Sequence, residues 1–263
     1  MVKTTLHIKK FVYPLLCLLV LSITSRAQRS IYLLEIYQLT TAAQETRLHK
    51  YLQQSLLPAL HRIGIPQAGV FNAVTNDTAA RRKVYVLIPF KSTQAYLDLP
   101  ENLAKDRQYM TGAKDFLDAR FDDTLYTRIE SILLEAFPDA PKVRKPGPFS
   151  TPASERIYEL RSYESPNEKY FDNKVRMFNE GGEIPLFERL GFNAVFYGSV
   201  LSGPHMPNLM YMTSFENMKS REDHWKAFNE DPFWKKLVAD PQYQHNVSHS
   251  DIILLHPTDY SDL

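Results

Sequence analysis

Four segments recur in the same order at a nearly constant offset, and this repetition constrains the fold more than any other feature of the chain. Residues 31–37 (IYLLEIY) match residues 157–163 (IYELRSY) at an offset of 126, so that Tyr32 and Tyr37 fall on Tyr158 and Tyr163. Residues 58–64 match residues 185–191 at an offset of 127, each ending in glycine. Lys83–Phe90 then parallels Leu209–Phe215, and Ile132–Pro138 parallels Ile252–Pro257. A period this long marks tandem domains, because solenoid repeats run at roughly 20–50 residues. Between the copies, residues 138–154 carry Pro138, Pro141, Pro146, Pro148 and Pro152. Proline has a fixed φ and no N–H, so this stretch reads as an extended linker. The first unit then covers residues 28–137, the second 155–258, and residues 259–263 form a tail.

Within the second copy the elements are explicit. A strand at about Arg156–Tyr163 is followed by Ser165-Pro166-Asn167-Glu168, which offers an N-cap, a proline at the first helical position and a glutamate three residues after the cap. Tyr170, Phe171, Val175 and Phe178 continue at helical spacing, Gly181-Gly182 interrupts the helix, and Gly191 ends its continuation. Strands at about Asn193–Leu201 and Leu209–Phe215, a helix bearing Trp225 and Phe228, and a strand at Asp251–His256 complete the unit. The order β-α-β-β-α-β places two helices on one face of a four-stranded antiparallel sheet and leaves the other face bare. The expected fold is therefore α+β: two tandem ferredoxin-like units, their sheets closing face to face as a dimeric α+β barrel within one chain.

Residues 1–27 read as a cleavable export signal. Lys3, Lys9 and Lys10 open the chain, the run Phe11–Ile23 is almost wholly apolar, and Ser25-Arg26-Ala27 supplies a small-residue cleavage site. That run is short of the roughly 20 residues a membrane-spanning helix needs, so no stable span is expected after cleavage. The expected address is periplasmic or secreted. The leader holds four of the 31 basic residues and none of the 30 acidic ones, leaving 27 against 30, a net charge of −3. A nucleic-acid partner, which needs a basic face, loses support. Cys17, the only cysteine, lies within the leader, which excludes thiol, disulfide and cysteine–metal chemistry from the mature chain. Glycosylation acceptor patterns at Asn76 and Asn246 carry little weight.

The run from Tyr158 to Arg161 with Tyr163, then Ile184–Gly191, the His224-Trp225 helix and Asp231–Trp234 resemble a NIPSNAP domain of the dimeric α+β barrel group. The resemblance covers about Arg156–Pro257 well and about Ile31–Pro138 more weakly. The group includes cofactor-free monooxygenases, haem-processing enzymes and binding proteins, so the resemblance implies a fold and leaves function open.

Side chains on a strand alternate between faces. Tyr158 and Leu160 suit the layer under the helices, and Glu159, Arg161 and Tyr163 would then face the barrel interior. Charges buried there must be paired or bound, because an unpaired buried charge is costly. The candidate ligand-binding set is Glu159, Arg161, Tyr163, Tyr37 and His205, with Arg161 taking an anion and Tyr163 donating a hydrogen bond. The alternative is an ion pair that only orients the halves. The first copy has Leu33 and Glu35 where the second has Glu159 and Arg161, and Glu35 could pair across the interface with Arg161. Trp225 reads as core and His224 as exposed. His245 and His249 share a spacing that suits a metal only on a helix, with no carboxylate placed to complete a set; no metal and no cofactor are expected. No phosphate-binding glycine loop, nucleophile elbow or zincin motif is present. Two functions remain open: a non-enzymatic protein binding a small organic molecule or a partner, or a cofactor-independent enzyme acting inside the barrel. Homo-oligomerisation is left open.

Overall fold

The computed structural model describes residues 28–263, so the export leader read at residues 1–27 lies outside the described residues. Eight strands form one closed antiparallel barrel. The first half supplies β1 (Ile31–Leu39), β2 (Gly69–Ala73), β3 (Arg82–Phe90) and β4 (Arg128–Ala136). The second supplies β5 (Ile157–Glu164), β6 (Asn193–Ser202), β7 (Asn208–Phe215) and β8 (His249–Pro257). Around the barrel they run β1-β3-β2-β8-β5-β7-β6-β4 and back to β1, so each half places its strands in the same relative order. The halves are also hydrogen-bonded edge to edge, with Asn72 opposite His256 at one seam and Leu134 opposite Val200 at the other. Two stacked sheets would have left four exposed edges; closure leaves none.

Helices lie outside the barrel. In the first half α1 (Ala42–Tyr51) runs through a π-type turn into α2 (Leu57–Arg62). Pro58 lies just after that turn and has no N–H to give a regular ladder. Four short helices, α3 (Thr93–Leu97), α4 (Leu99–Lys105), α5 (Arg107–Gly112) and α6 (Lys114–Leu117), precede β4. In the second half α7 (Glu168–Phe178) and α8 (Glu183–Arg189) follow β5, and α9 (Met218–Glu230) and α10 (Pro232–Ala239) follow β7. The glycine break between α7 and α8 is present, with Gly182 at φ +85° starting α8. The α7 cap is Asn167, whose side chain accepts from the Tyr170 N–H. Ser165, expected to cap it, donates instead to the Asn246 carbonyl. Among the described residues no helix is long and apolar enough to cross a membrane.

Three apolar clusters divide the core. One lies under the helices of each half, and the third, built almost entirely from strand residues, fills the barrel. The barrel interior is packed with rings, including Tyr32 against Phe196 at 5.2 Å and Phe71 against Tyr158 at 4.9 Å between centroids. Tyr158 and Leu160 belong to this interior. Glu159, Arg161 and Tyr163 therefore face the helices, the reverse of the expected assignment. The two-residue period shows which side chains share a face; which face becomes the interior depends on the larger apolar volume, and here the aromatic set fills the barrel.

The linker runs outside, tied by Ser30 N–H to the Pro141 carbonyl and Arg144 N–H to the Val195 carbonyl. The tail is docked onto the first half. Asp262 Oδ2 accepts from the Ala68 N–H and lies 2.8 Å from His61 Nε2, and Leu263 joins the interior cluster. Asn76 and Asn246 are buried and hydrogen-bonded, which disfavours both as acceptors of a bulky glycan.

Candidate functional site

Between β5 and the second pair of helices lies a pocket of about 320 Å³. Its floor comes from two adjacent strands: Arg161 and Tyr163 share one face of β5, and Tyr211 is the register partner of Arg161 on β7. Its roof is the inward stripe of α9, where Arg221, Trp225, Phe228 and Asn229 recur at helical spacing. Lys174 from α7, Glu183 from α8 and Trp234 from α10 close the sides.

Glu159 anchors the arrangement. It is fully buried beneath the pocket and accepts from Arg161 Nε at 2.5 Å, Arg221 Nε at 2.5 Å and Trp225 Nε1 at 2.9 Å. Removing a carboxylate from water costs several kcal/mol, and charge-assisted bonds from three donors offset that cost. Arg161 also donates from Nη1 to the Tyr163 hydroxyl at 2.9 Å and lies over the Trp225 ring. Burial opposes its charge, but the oxygens of Tyr211, Tyr163 and Glu159 outweigh this and hold the guanidinium above its ordinary pKa. Lys174 pairs with Glu183 at 2.9 Å, both buried. Three cations thus meet two carboxylates, an excess of one positive charge.

The two tyrosine oxygens stand 3.0 Å apart. Tyr211 is enclosed, and burial pushes its hydroxyl well above the usual range. The assignment that leaves no enclosed O–H unmet has Tyr211 donating to Tyr163, whose oxygen also accepts from Arg161. The Tyr163 proton is then free to point into the pocket.

Of the residues singled out from sequence, Glu159, Arg161 and Tyr163 are brought together, outside the barrel rather than within it. Tyr37 is not part of this site: it lies in the first-half cluster and donates to Glu35 at 2.8 Å. Glu35 consequently does not pair with Arg161, which has its partner on its own strand. His205 occupies the β6–β7 loop, away from the pocket, 3.1 Å from Glu164. His224 is half-buried, not exposed, with its ring edge-on to Phe192 and Phe215. His245 has φ +61° and lies on no helix, so it does not share a helical face with His249. Lys174, Glu183, Tyr211 and Arg221 are not singled out from sequence, and Trp234 is named only in a family motif, not as a site residue. The four-residue spacing of Arg221 and Trp225 is a signal that could have found Arg221; the meeting of Lys174 with Glu183 required the corner between two helices.

Every residue of this pocket falls within residues 158–262, the segment that matches the NIPSNAP family. That segment is a NIPSNAP domain. No functionally curated protein matches the sequence. The chain shares its fold with a candidate monooxygenase of Fusobacterium nucleatum, at 9% identity and a TM-score of 0.59 over 87% of this chain and 92% of that one. A candidate monooxygenase of Lactobacillus acidophilus superposes with a TM-score of 0.54 at 12% identity, over 87% of this chain and 94% of that one. A NIPSNAP family protein of Agrobacterium tumefaciens matches at 24% identity, with a TM-score of 0.37, over 41% of this chain and 98% of that one. The first two likenesses, at identities this low, establish fold and nothing about chemistry.

Proposed function

We propose that the NIPSNAP domain binds a small, flat organic anion in the pocket between β5 and α9. One observation carries the reading: a pocket of about 320 Å³ holds a one-charge excess of cations beside the rings of Trp225 and Trp234. The volume lies at the small end of ligand sites. Arg161 and Arg221 would face the carboxylate, Tyr163 would donate to it, and the indoles would hold an aromatic body. Binding is favoured over catalysis because the lining holds no histidine and both carboxylates are tied by cations, leaving no free carboxylate or imidazole to act as a general base. The candidate monooxygenases of like fold support the enzyme alternative, in which Arg161 and Tyr163 polarise a substrate oxygen. We read each half as one ferredoxin-like unit, and the protein as exported on the strength of its leader.

Tryptophan fluorescence of the purified protein titrated with benzoate and with benzamide tests the binding. Saturable quenching by benzoate but not benzamide, lost in Arg161→Ala and weakened in Tyr163→Phe, is the expected result. Equal response to both probes, or an unchanged response in folded Arg161→Ala, overturns it. Native mass spectrometry of protein recovered from the culture would show an N-terminus at Gln28 if the leader is cleaved as read.

A further inference from the structure

A second group of chemically capable side chains lies at a mouth of the barrel. The β5–β8 register sets Glu164 directly opposite His249, and Asp251 follows two residues on along the same face of β8. Glu164 shares its face of β5 with Tyr158 and Leu160, and Asp251 and His249 share theirs with Leu255, so all three continue the interior register past the packed core. One donor atom from each lies within 4.8 Å of the others. From the β6–β7 loop, His205 brings Nδ1 to 3.1 Å from Glu164 Oε1, and His249 Nε2 lies 3.2 Å from Asp251 Oδ1. His205 does this from φ +62°, a left-handed conformation that costs free energy in a residue with a β-carbon. Burial first, then Glu130 and Asp251, raise the pKa of Tyr85 in the barrel interior.

We propose that Glu164, His249 and Asp251 form a site for a divalent transition metal of the zinc class, which His205, paired with Glu164 but outside the 4.8 Å group, completes by turning in from its loop. Imidazole nitrogens combined with carboxylate oxygens favour zinc, nickel or copper over magnesium or calcium. Tetrahedral zinc with bonds of about 2.0–2.2 Å places its donors roughly 3.3 Å apart. The His205–Glu164 and His249–Asp251 pairs already have nearly that separation, so each pair can take a metal between its nitrogen and oxygen. Two carboxylates would neutralise the ion. The ligands come from two hydrogen-bonded strands, which fixes three of the four backbone positions. The site is separate from the Arg161 pocket, and either can exist without the other.

Isothermal titration of the chelator-stripped full chain with zinc chloride tests the site. One saturable equivalent is expected, weakened at least about tenfold in His249→Ala and in Asp251→Asn. His61→Ala, which removes a different His–Asp pair, should leave affinity unchanged, and magnesium chloride should give no heat. In wild-type protein the imidazole NMR signals of His205 and His249 should shift with zinc while that of His61 does not. That readout decides the matter if a variant fails to fold. No saturable binding, equal affinity in His249→Ala, or zinc shifts confined to other histidines would overturn the proposal.

Discussion

Arg161 lies face-on to Trp225, its guanidinium carbon 3.7 Å from the ring centroid, and both side chains donate to the same buried carboxylate of Glu159. Stacking restricts where the guanidinium can go, and the shared acceptor fixes the indole. A desolvated cation–π contact adds up to about 2 kcal/mol. The cation facing the pocket is therefore held in place before any ligand arrives, which lowers the ordering cost of binding.

Glu159→Gln should destabilise the protein by about 3–5 kcal/mol, because it keeps the volume while leaving Arg161 and Arg221 without their carboxylate. Thermal unfolding should fall by roughly 6–20 °C. A shift within error of zero would mean that Glu159 is not the anchor of the two arginines.

Trp225 supplies a stacking face and an N–H, and two substitutions separate them. Trp225→Phe keeps a ring over Arg161 and loses the bond to Glu159, which should cost about 1.5–3 kcal/mol. Trp225→Ala also leaves a gap beside Phe187, Phe192 and Phe228 and should cost about 3–5 kcal/mol. Urea midpoints that do not rank wild type above Phe above Ala would contradict this division.

Among the described residues Glu35 has no cationic partner. Burial raises its pKa above the ordinary 4.5, more than the Tyr37 hydroxyl lowers it. A group whose folded pKa is raised favours folding fully below its unfolded value, and that contribution is lost as pH rises through the folded value. Wild type should therefore lose stability relative to Glu35→Gln as pH climbs upward from about 4.5. Melting curves of both proteins at pH 4 and pH 8 check the sign; a constant difference between them would remove Glu35 from the account.

The tail should act as a clasp on β2. The Ala68 N–H donates to Asp262 Oδ2 and the Val70 N–H to Ser261 Oγ. Deleting residues 259–263 should speed hydrogen exchange at those two amides by at least about tenfold, while amides of the β5–β7 ladder keep their protection. Exchange unchanged at Ala68 and Val70 would show that β2 is held without the tail.

By itself, the sequence determined that four segments recur in the same order, that a proline-rich stretch separates the two sets, and that Glu159, Arg161 and Tyr163 share one face of a strand. Periodicity, proline and internal repetition carry that information locally. What tertiary structure alone decided was direction. Tyr158 and Leu160 took the barrel interior because the eight strands close around an aromatic core, and this turned the charged face of β5 outward beneath α9. Only then could Arg221 and Trp225, more than sixty residues along the chain, meet Glu159 and complete the pocket. A period of two assigns side chains to faces; the packing of the whole chain assigns the faces to core or site.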